Sequence, residues 1–136
     1  MSSETHPSLV RDVMVRDVST ISPLASLRDA LERMKTDRVR SLVVERHHPH
    51  DAYGILTHTS IVRAIVAEEG DIDLANVYDV MSKPAISVPE AMEVKYVARL
   101  MVTQSIRRVI VLKNDELSGI ITMSDIVDSL MALSDD

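Results

Sequence analysis

The sequence predicts an α/β (α+β) protein built from one β-α-β-β-α unit present twice. Asp12-Val13-Met14 returns as Asp79-Val80-Met81, 67 positions later. The same offset carries Leu27, Ala30, Leu31 and Met34 onto Val94, Val97, Ala98 and Met101, and Val39, Leu42, Val43 and Val44 onto Ile106, Val109, Ile110 and Val111. Gly54-Ile55-Leu56-Thr57 matches Gly119-Ile120-Ile121-Thr122 at an offset of 65, so the first copy carries two extra loop residues. Two copies are too few for a solenoid; a duplicated unit of roughly 60 residues is expected to close around a pseudo-two-fold axis, with clefts in pairs.

Each element follows from the pattern. A short leading helix is expected over Leu9 to Met14, then an extended piece from Val18 to Ser22. Leu27, Ala30, Leu31 and Met34 fall at i, i+3, i+4 and i+7, the apolar stripe of a helix. Ser26 is its N-cap and Asp29, three residues on, gives an acidic variant of the capping box. Leu42-Val43-Val44 reads as a buried strand, Glu45 to Ala52 as a polar loop broken by Pro49, and Tyr53 to Thr57 as a second strand. Thr59 or Ser60 is expected to cap the next helix, with Ile61, Val62, Ile65 and Val66 on its buried side.

The second copy repeats this order. A leading helix is expected over Ala75 to Met81 and an extended piece from Ala85 to Pro89, where proline restricts the preceding residue to extended geometry. Val94, Val97, Ala98 and Met101 form the helix stripe. Arg108 to Lys113 and Leu117 to Thr122 form strands joined by a turn at Asn114-Asp115-Glu116. Ser124 is expected to cap a last helix with Ile126, Val127, Leu130 and Met131 facing inward. The expected boundaries are 8–69 for the first copy, 70–74 for a connector, 75–133 for the second copy, and flexible tails at 1–7 and 134–136.

Composition bounds the function. A chain of 136 residues buries roughly two-thirds of its unfolded surface, enough for a core without staples. That core must be aliphatic, since there are three Tyr and no Phe or Trp. The absence of Cys excludes disulfides, thiol catalysis and Cys-ligated metal. The polar start lacks the apolar centre of a signal peptide, and no apolar run approaches the roughly 20 residues that cross a bilayer. A net charge of −6 argues against a nucleic-acid grip. Glu68, Glu69, Asp71 and Asp73, with Asp135-Asp136 at the end, read as solvated surface. The expectation is a soluble, cytoplasmic protein with no nucleic-acid or membrane partner.

Chemistry concentrates at the exit of the last strand, Gly119-Ile120-Ile121-Thr122-Met123-Ser124-Asp125. A helix start presents free N–H groups and the positive end of a dipole, which favour an anion. The Thr122 hydroxyl suits a phosphate, and the Asp125 carboxylate suits the two hydroxyls of a ribose. Local spacing equally allows Ser124 to cap the helix and Asp125 to complement its dipole.

The duplicated unit, the two Val-Met pairs and the two Gly-hydrophobic-hydrophobic-Thr exits resemble a pair of CBS domains, the cystathionine-β-synthase type, together a Bateman module. The likeness spans about residues 8 to 133, and with no catalytic, channel or DNA-binding segment beside it the chain reads as a stand-alone pair. The resemblance implies a regulatory, energy-sensing module that binds an adenine nucleotide (AMP, ADP or ATP, with S-adenosylmethionine as a further class) between the repeats. It also implies a homodimer. The family's Gly-h-h-Thr/Ser-x-x-Asp motif falls on Gly119, Thr122 and Asp125. Its adenine contacts fall on Lys83, Pro84, Ala85, Ile86 and Val109, and Arg107 and Arg108 would face the phosphates.

The first copy departs from that pattern. Ser60 stands where the ribose-binding Asp would be, and a hydroxyl lacks the charge-assisted bonds of a carboxylate. Asp17 and Ser19 stand where the second copy has Pro84 and Ile86. A second, weaker site is expected at Val18, Ser19, Arg38, Arg40, Thr57 and Ser60. His47-His48-Pro49-His50 has irregular spacing and reads as a surface loop, so no metal is expected. With Gly only at 54, 70 and 119 there is no Walker loop, and no nucleophile–base pair emerges, so no enzyme and no cofactor are expected. The other reading is a module with degenerate clefts that dimerises or docks on a separate effector protein.

Overall fold

The computed structural model describes residues 8–134, with the side chains of the last two left aside. The expected tails at 1–7 and 135–136 lie outside the described residues, and Ser134 is the last residue of a helix. The chain divides into two compact units: Val18–Ala85, and the residues up to Asp17 together with those from Ile86 onward.

In the Val18–Ala85 unit the order is β1 (Thr20–Ile21), α2 (Leu27–Asp37), β2 (Ser41–Val44), β3 (Gly54–Thr57), α3 (His58–Val62) and α4 (Val77–Val80). The sheet runs β1-β2-β3, with β1 parallel to β2 and β2 antiparallel to β3. Helix α2 makes the crossover that a parallel pair requires. It starts on the expected box: the Asp29 N–H donates to Ser26 Oγ at 3.1 Å and the Ser26 N–H to Asp29 Oδ2 at 3.4 Å. It ends on Arg38 in the left-handed region. Ile21, Leu27, Ala30, Met34, Leu42, Val44, Leu56, Ile61 and Val77 close into one core.

The other unit holds α1 (Val10–Val13), β4 (Ser87–Pro89), α5 (Val94–Gln104), β5 (Arg108–Lys113), β6 (Glu116–Thr122) and α6 (Met123–Ser134). Its sheet repeats the plan, β4-β5-β6, parallel then antiparallel. Asn114 and Asp115 both have positive φ, the geometry of a two-residue hairpin whose twist matches its strands. Val10, Met14, Val88, Val97, Met101, Val109, Val111, Ile121 and Ile126 form its core.

Four expectations change. The leading helices are single turns that pack on the opposite copy. Val10 N–H donates to Met92 O and Val94 N–H to Ser8 O, while Val77 N–H donates to Ala25 O and Leu27 N–H to Ala75 O. The compact units therefore differ from the contiguous 8–69 and 75–133 segments. The cap of α3 is Thr57, not Thr59 or Ser60, and Thr122, not Ser124, stands before α6, because each strand runs straight into its helix. The helix after β3 turns π-helical over Arg63–Ala67, which breaks the 3.6-residue stripe; Ile61 is buried but Val62 and Val66 are exposed. Among the described side chains of α6 only Ile126 is buried, and Val127, Leu130 and Met131 are 44–60% exposed.

Candidate functional site

The exit of β6 is built by strand register. Arg108 lies opposite Thr122, and Val109 opposite Ile121. Val109 and Ile121 both belong to the helix-side core. Successive side chains alternate faces, so Arg108 and Thr122 are cross-strand neighbours on the other face. The Met123 N–H donates to Arg107 O at 2.8 Å, which fixes the first turn of α6 against the start of β5.

Thr122 and Asp125 then bond each other. The Asp125 N–H donates to Thr122 Oγ1 at 3.1 Å and the Thr122 N–H donates to Asp125 Oδ2 at 2.8 Å. The carboxylate is thus held at the helix start with its second oxygen unengaged among the described residues.

Arg108 is the electrostatic anomaly of this exit. Its Nε is buried with no hydrogen-bond partner. Burial, and then the charge of adjacent Arg107, lower the guanidinium pKa below its ordinary value. Both charges would be relieved by an acceptor bearing negative charge.

The structure brings Ile86, Arg107, Arg108, Thr122 and Asp125 into one unit. Ile86 is half-exposed and its carbonyl accepts from Ile110 N–H at 2.9 Å. Val109 is a correction: at 1% exposure its side chain belongs to the core and offers no surface to an adenine. Lys83, Pro84 and Ala85 belong to the Val18–Ala85 unit. There Ala85 N–H donates to Tyr53 O, and the Lys83 ammonium is held by Asp51 Oδ2 at 2.7 Å. That ion pair, 32 residues apart in sequence, was not foreseen.

The first-copy exit has the same backbone and different chemistry. Thr57 lies opposite Ser41, so a hydroxyl occupies the register position of Arg108. Ser60 N–H donates to Thr57 Oγ1 at 3.1 Å and the two hydroxyls bond each other at 3.0 Å. The pair is satisfied internally. Ser19 serves the sheet through its carbonyl, which accepts from Val43 N–H, and Val18 is partly buried beside it. Arg38 is the left-handed residue ending α2, and the Arg40 carbonyl accepts from both His58 N–H and His58 Nδ1. The Ser41–Arg108 contrast went unremarked in the sequence, although the offset of 67 aligns the two.

Two cavities of the Val18–Ala85 unit lie away from the strand exits, and Lys83 alone of the candidate residues lines one of them. A groove of about 750 Å³ along β1 and α2 is lined by Asp29, Glu32, Asp37 and Glu45 with Arg33. A cleft of about 460 Å³ is lined by Leu24, His47, His48, Tyr78, Met81 and Lys83 among others. His47, His48 and His50 are exposed as expected, and among the described residues no three His, Asp or Glu side chains are placed to hold a metal ion. No helix among the described residues is long and apolar enough to cross a membrane.

Two three-stranded sheets of one topology, each running through a Gly-h-h-Thr exit into a helix, define a duplicated α/β module. The chain belongs to the CBS domain family, which it matches over residues 10–67 and 77–132. It is 37% identical over 121 residues to an uncharacterised protein of Methanopyrus kandleri, covering 87% of this chain and 60% of that protein's length. It is 28% identical over 125 residues to the CBS domain-containing protein YhcV of Bacillus subtilis, covering 92% and 87% of the two chains. Among solved structures, the hexameric CBS-CP12 protein from bloom-forming cyanobacteria aligns with a TM-score of 0.85 at 38% identity, covering 90% of this chain and 72% of that one.

Proposed function

We propose that the protein is a non-enzymatic regulatory module that binds an adenosyl ligand of the AMP, ADP or ATP class at the β6–α6 exit. The observation that carries this reading is the buried, unpartnered Nε of Arg108 directly across from Thr122, at a helix start where Asp125 presents a free carboxylate oxygen. Cation, hydroxyl and carboxylate match the phosphate and ribose of one nucleotide. Ile86, half-exposed just before β4 in the same unit, supplies surface for the base. The first-copy set of Val18, Ser19, Arg38, Arg40, Thr57 and Ser60 is the weaker site. A supporting relation is that inosine-5'-monophosphate dehydrogenase of Methanocaldococcus jannaschii matches this chain at 32% identity over only 22% of its own length, as expected of an accessory module. Isothermal titration of the chain with AMP, ADP and ATP tests the reading: saturable heat supports it, and silence toward all three sinks it.

Occupancy reaches a partner only through differential affinity for two states of the module. A homodimer, or docking on an effector protein, is favoured by the exposed Val127, Leu130 and Met131 on α6. The hexameric state of the cyanobacterial relative supports self-association in the family. Sedimentation equilibrium checks this, with a monomer at every concentration as the contrary result.

A further inference from the structure

We infer that the β6–α6 exit selects among adenosyl ligands by negative charge, favouring ATP and ADP over AMP, adenosine last, and rejecting S-adenosylmethionine; this rests on the adenosyl reading above. Arg107 and Arg108 are consecutive, and among the described residues neither forms an ion pair. The acidic group at the exit, Asp125, already receives the Thr122 N–H on one oxygen. The Arg108 guanidinium across from Thr122 and the positive end of a twelve-residue helix thus meet at an exit whose own carboxylate, Asp125, is engaged by the Thr122 N–H. The Arg107 charge is adjacent in sequence. The depressed Arg108 pKa is the signature of that imbalance: burial first, then the like charge of Arg107.

The ligand must therefore bring negative charge. A nucleoside di- or triphosphate brings it in excess, with oxygens that accept from a guanidinium in parallel pairs. Adenosine brings none. S-adenosylmethionine carries a sulfonium and an ammonium against a single carboxylate, which adds positive charge where it is already uncompensated. The first-copy exit makes a smaller demand, because Ser41 stands in place of Arg108 while Arg40 keeps the position of Arg107, and the Thr57 and Ser60 hydroxyls bond each other. The stronger charge selection therefore belongs to the β6–α6 exit.

The test is calorimetric titration of the full chain with ATP, ADP, AMP, adenosine, S-adenosylmethionine and inorganic tripolyphosphate, repeated with Arg108→Gln. Affinity should rise with phosphate number, S-adenosylmethionine should give no saturable heat, and Arg108→Gln should weaken ATP by roughly ten- to a hundred-fold. Adenosine or S-adenosylmethionine binding as tightly as ADP overturns the inference and leaves the adenosyl reading standing. So does ATP affinity unchanged in Arg108→Gln. Tripolyphosphate binding through Arg108 while every adenosyl compound is silent upholds charge selection and removes the adenosyl reading. Silence toward all six removes both. The ligand order on the unmodified chain decides the matter even if the variant fails to fold.

Discussion

Thr122 and Asp125 cap one another across the start of α6, the Thr122 N–H on Asp125 Oδ2 at 2.8 Å and the Asp125 N–H on Thr122 Oγ1 at 3.1 Å. The carboxylate proposed for a ribose is therefore also a structural group, and the two roles separate by substitution. Asp125→Asn keeps an oxygen for the cap but loses the charge; Asp125→Ala loses both. The alanine variant should be destabilised by about 1 kcal/mol and the asparagine variant by a few tenths. Both should bind nucleotide far more weakly. Thermal melts and titrations on the same samples check this, and full ADP affinity in Asp125→Asn means that the carboxylate is only a cap.

Gly119 and Gly54 occupy equivalent strand positions, but the space around them differs. A methyl group at Gly119 would stand 2.7 Å from Met14 Sδ and 2.8 Å from the Val15 carbonyl oxygen. At Gly54 the sulfur of Met81 is equally near, and the backbone oxygen of Ser82 is at 3.2 Å. A methionine tip moves cheaply. Neither backbone moves cheaply, since Val15 exchanges two hydrogen bonds with Ile120 and Ser82 two with Ile55, so the closer approach at Val15 sets the order. Gly119→Ala should cost about 2–3 kcal/mol and Gly54→Ala about 1 kcal/mol. Urea unfolding measures both, and the reverse order contradicts the reasoning.

Asp51 couples stability to acid. Its carboxylate accepts from Lys83 Nζ at 2.7 Å, from His47 N–H at 3.1 Å and from Ala52 N–H at 2.9 Å. The Lys83 hydrogen bond first, and then the His47 N–H, hold its pKa well below the usual carboxylate range. A depressed folded-state pKa contributes stability that is complete above the unfolded value of about 4 and is lost as pH falls from there toward the folded value. Asp51→Asn should therefore be less stable than the natural chain at pH 6, with the gap closing on acidification. Chemical unfolding at pH 6 and pH 2.5 decides it; a gap of equal size at both pH values is the contrary result.

Local elements were legible in the sequence because each has a local cause. Ser26 and Asp29 announce the start of α2, and Asn114-Asp115 the hairpin between β5 and β6. The offset of 67, and of 65 from the last strand onward, then carries the assignments from one copy to the other. What escaped depends on long-range placement. Nothing local says that Val127, Leu130 and Met131 stand exposed, since an apolar stripe looks the same whether the fold or a partner covers it. Lys83 was assigned to a ligand because its chain neighbours suit one, whereas its ammonium is bound to a carboxylate 32 positions away. Val109 matched the ligand pattern by position, and strand parity puts its side chain in the core.

The exchange of leading helices escaped for the same reason, and it yields the most specific stability prediction. A helix of four residues has too few turns for a hydrophobic period, so its docking partner is unreadable locally. Val10 is fully buried among Val97, Met101, Ile121 and Ile126, all supplied by the second copy. Val77 is fully buried among Leu27, Leu42 and Leu56 of the first. Val10→Ala and Val77→Ala each remove two buried carbons and should cost about 2 kcal/mol. The effects should appear in opposite halves of the chain. Native-state hydrogen exchange should show Val10→Ala loosening β5 and β6, more than 90 residues downstream, while the nearer β2 and β3 keep their protection. Val77→Ala should loosen β2 and β3, which precede it. If each substitution instead loosens the strands of its own copy, each leading helix is energetically part of its own repeat and the division into units at Asp17 and Ala85 is wrong.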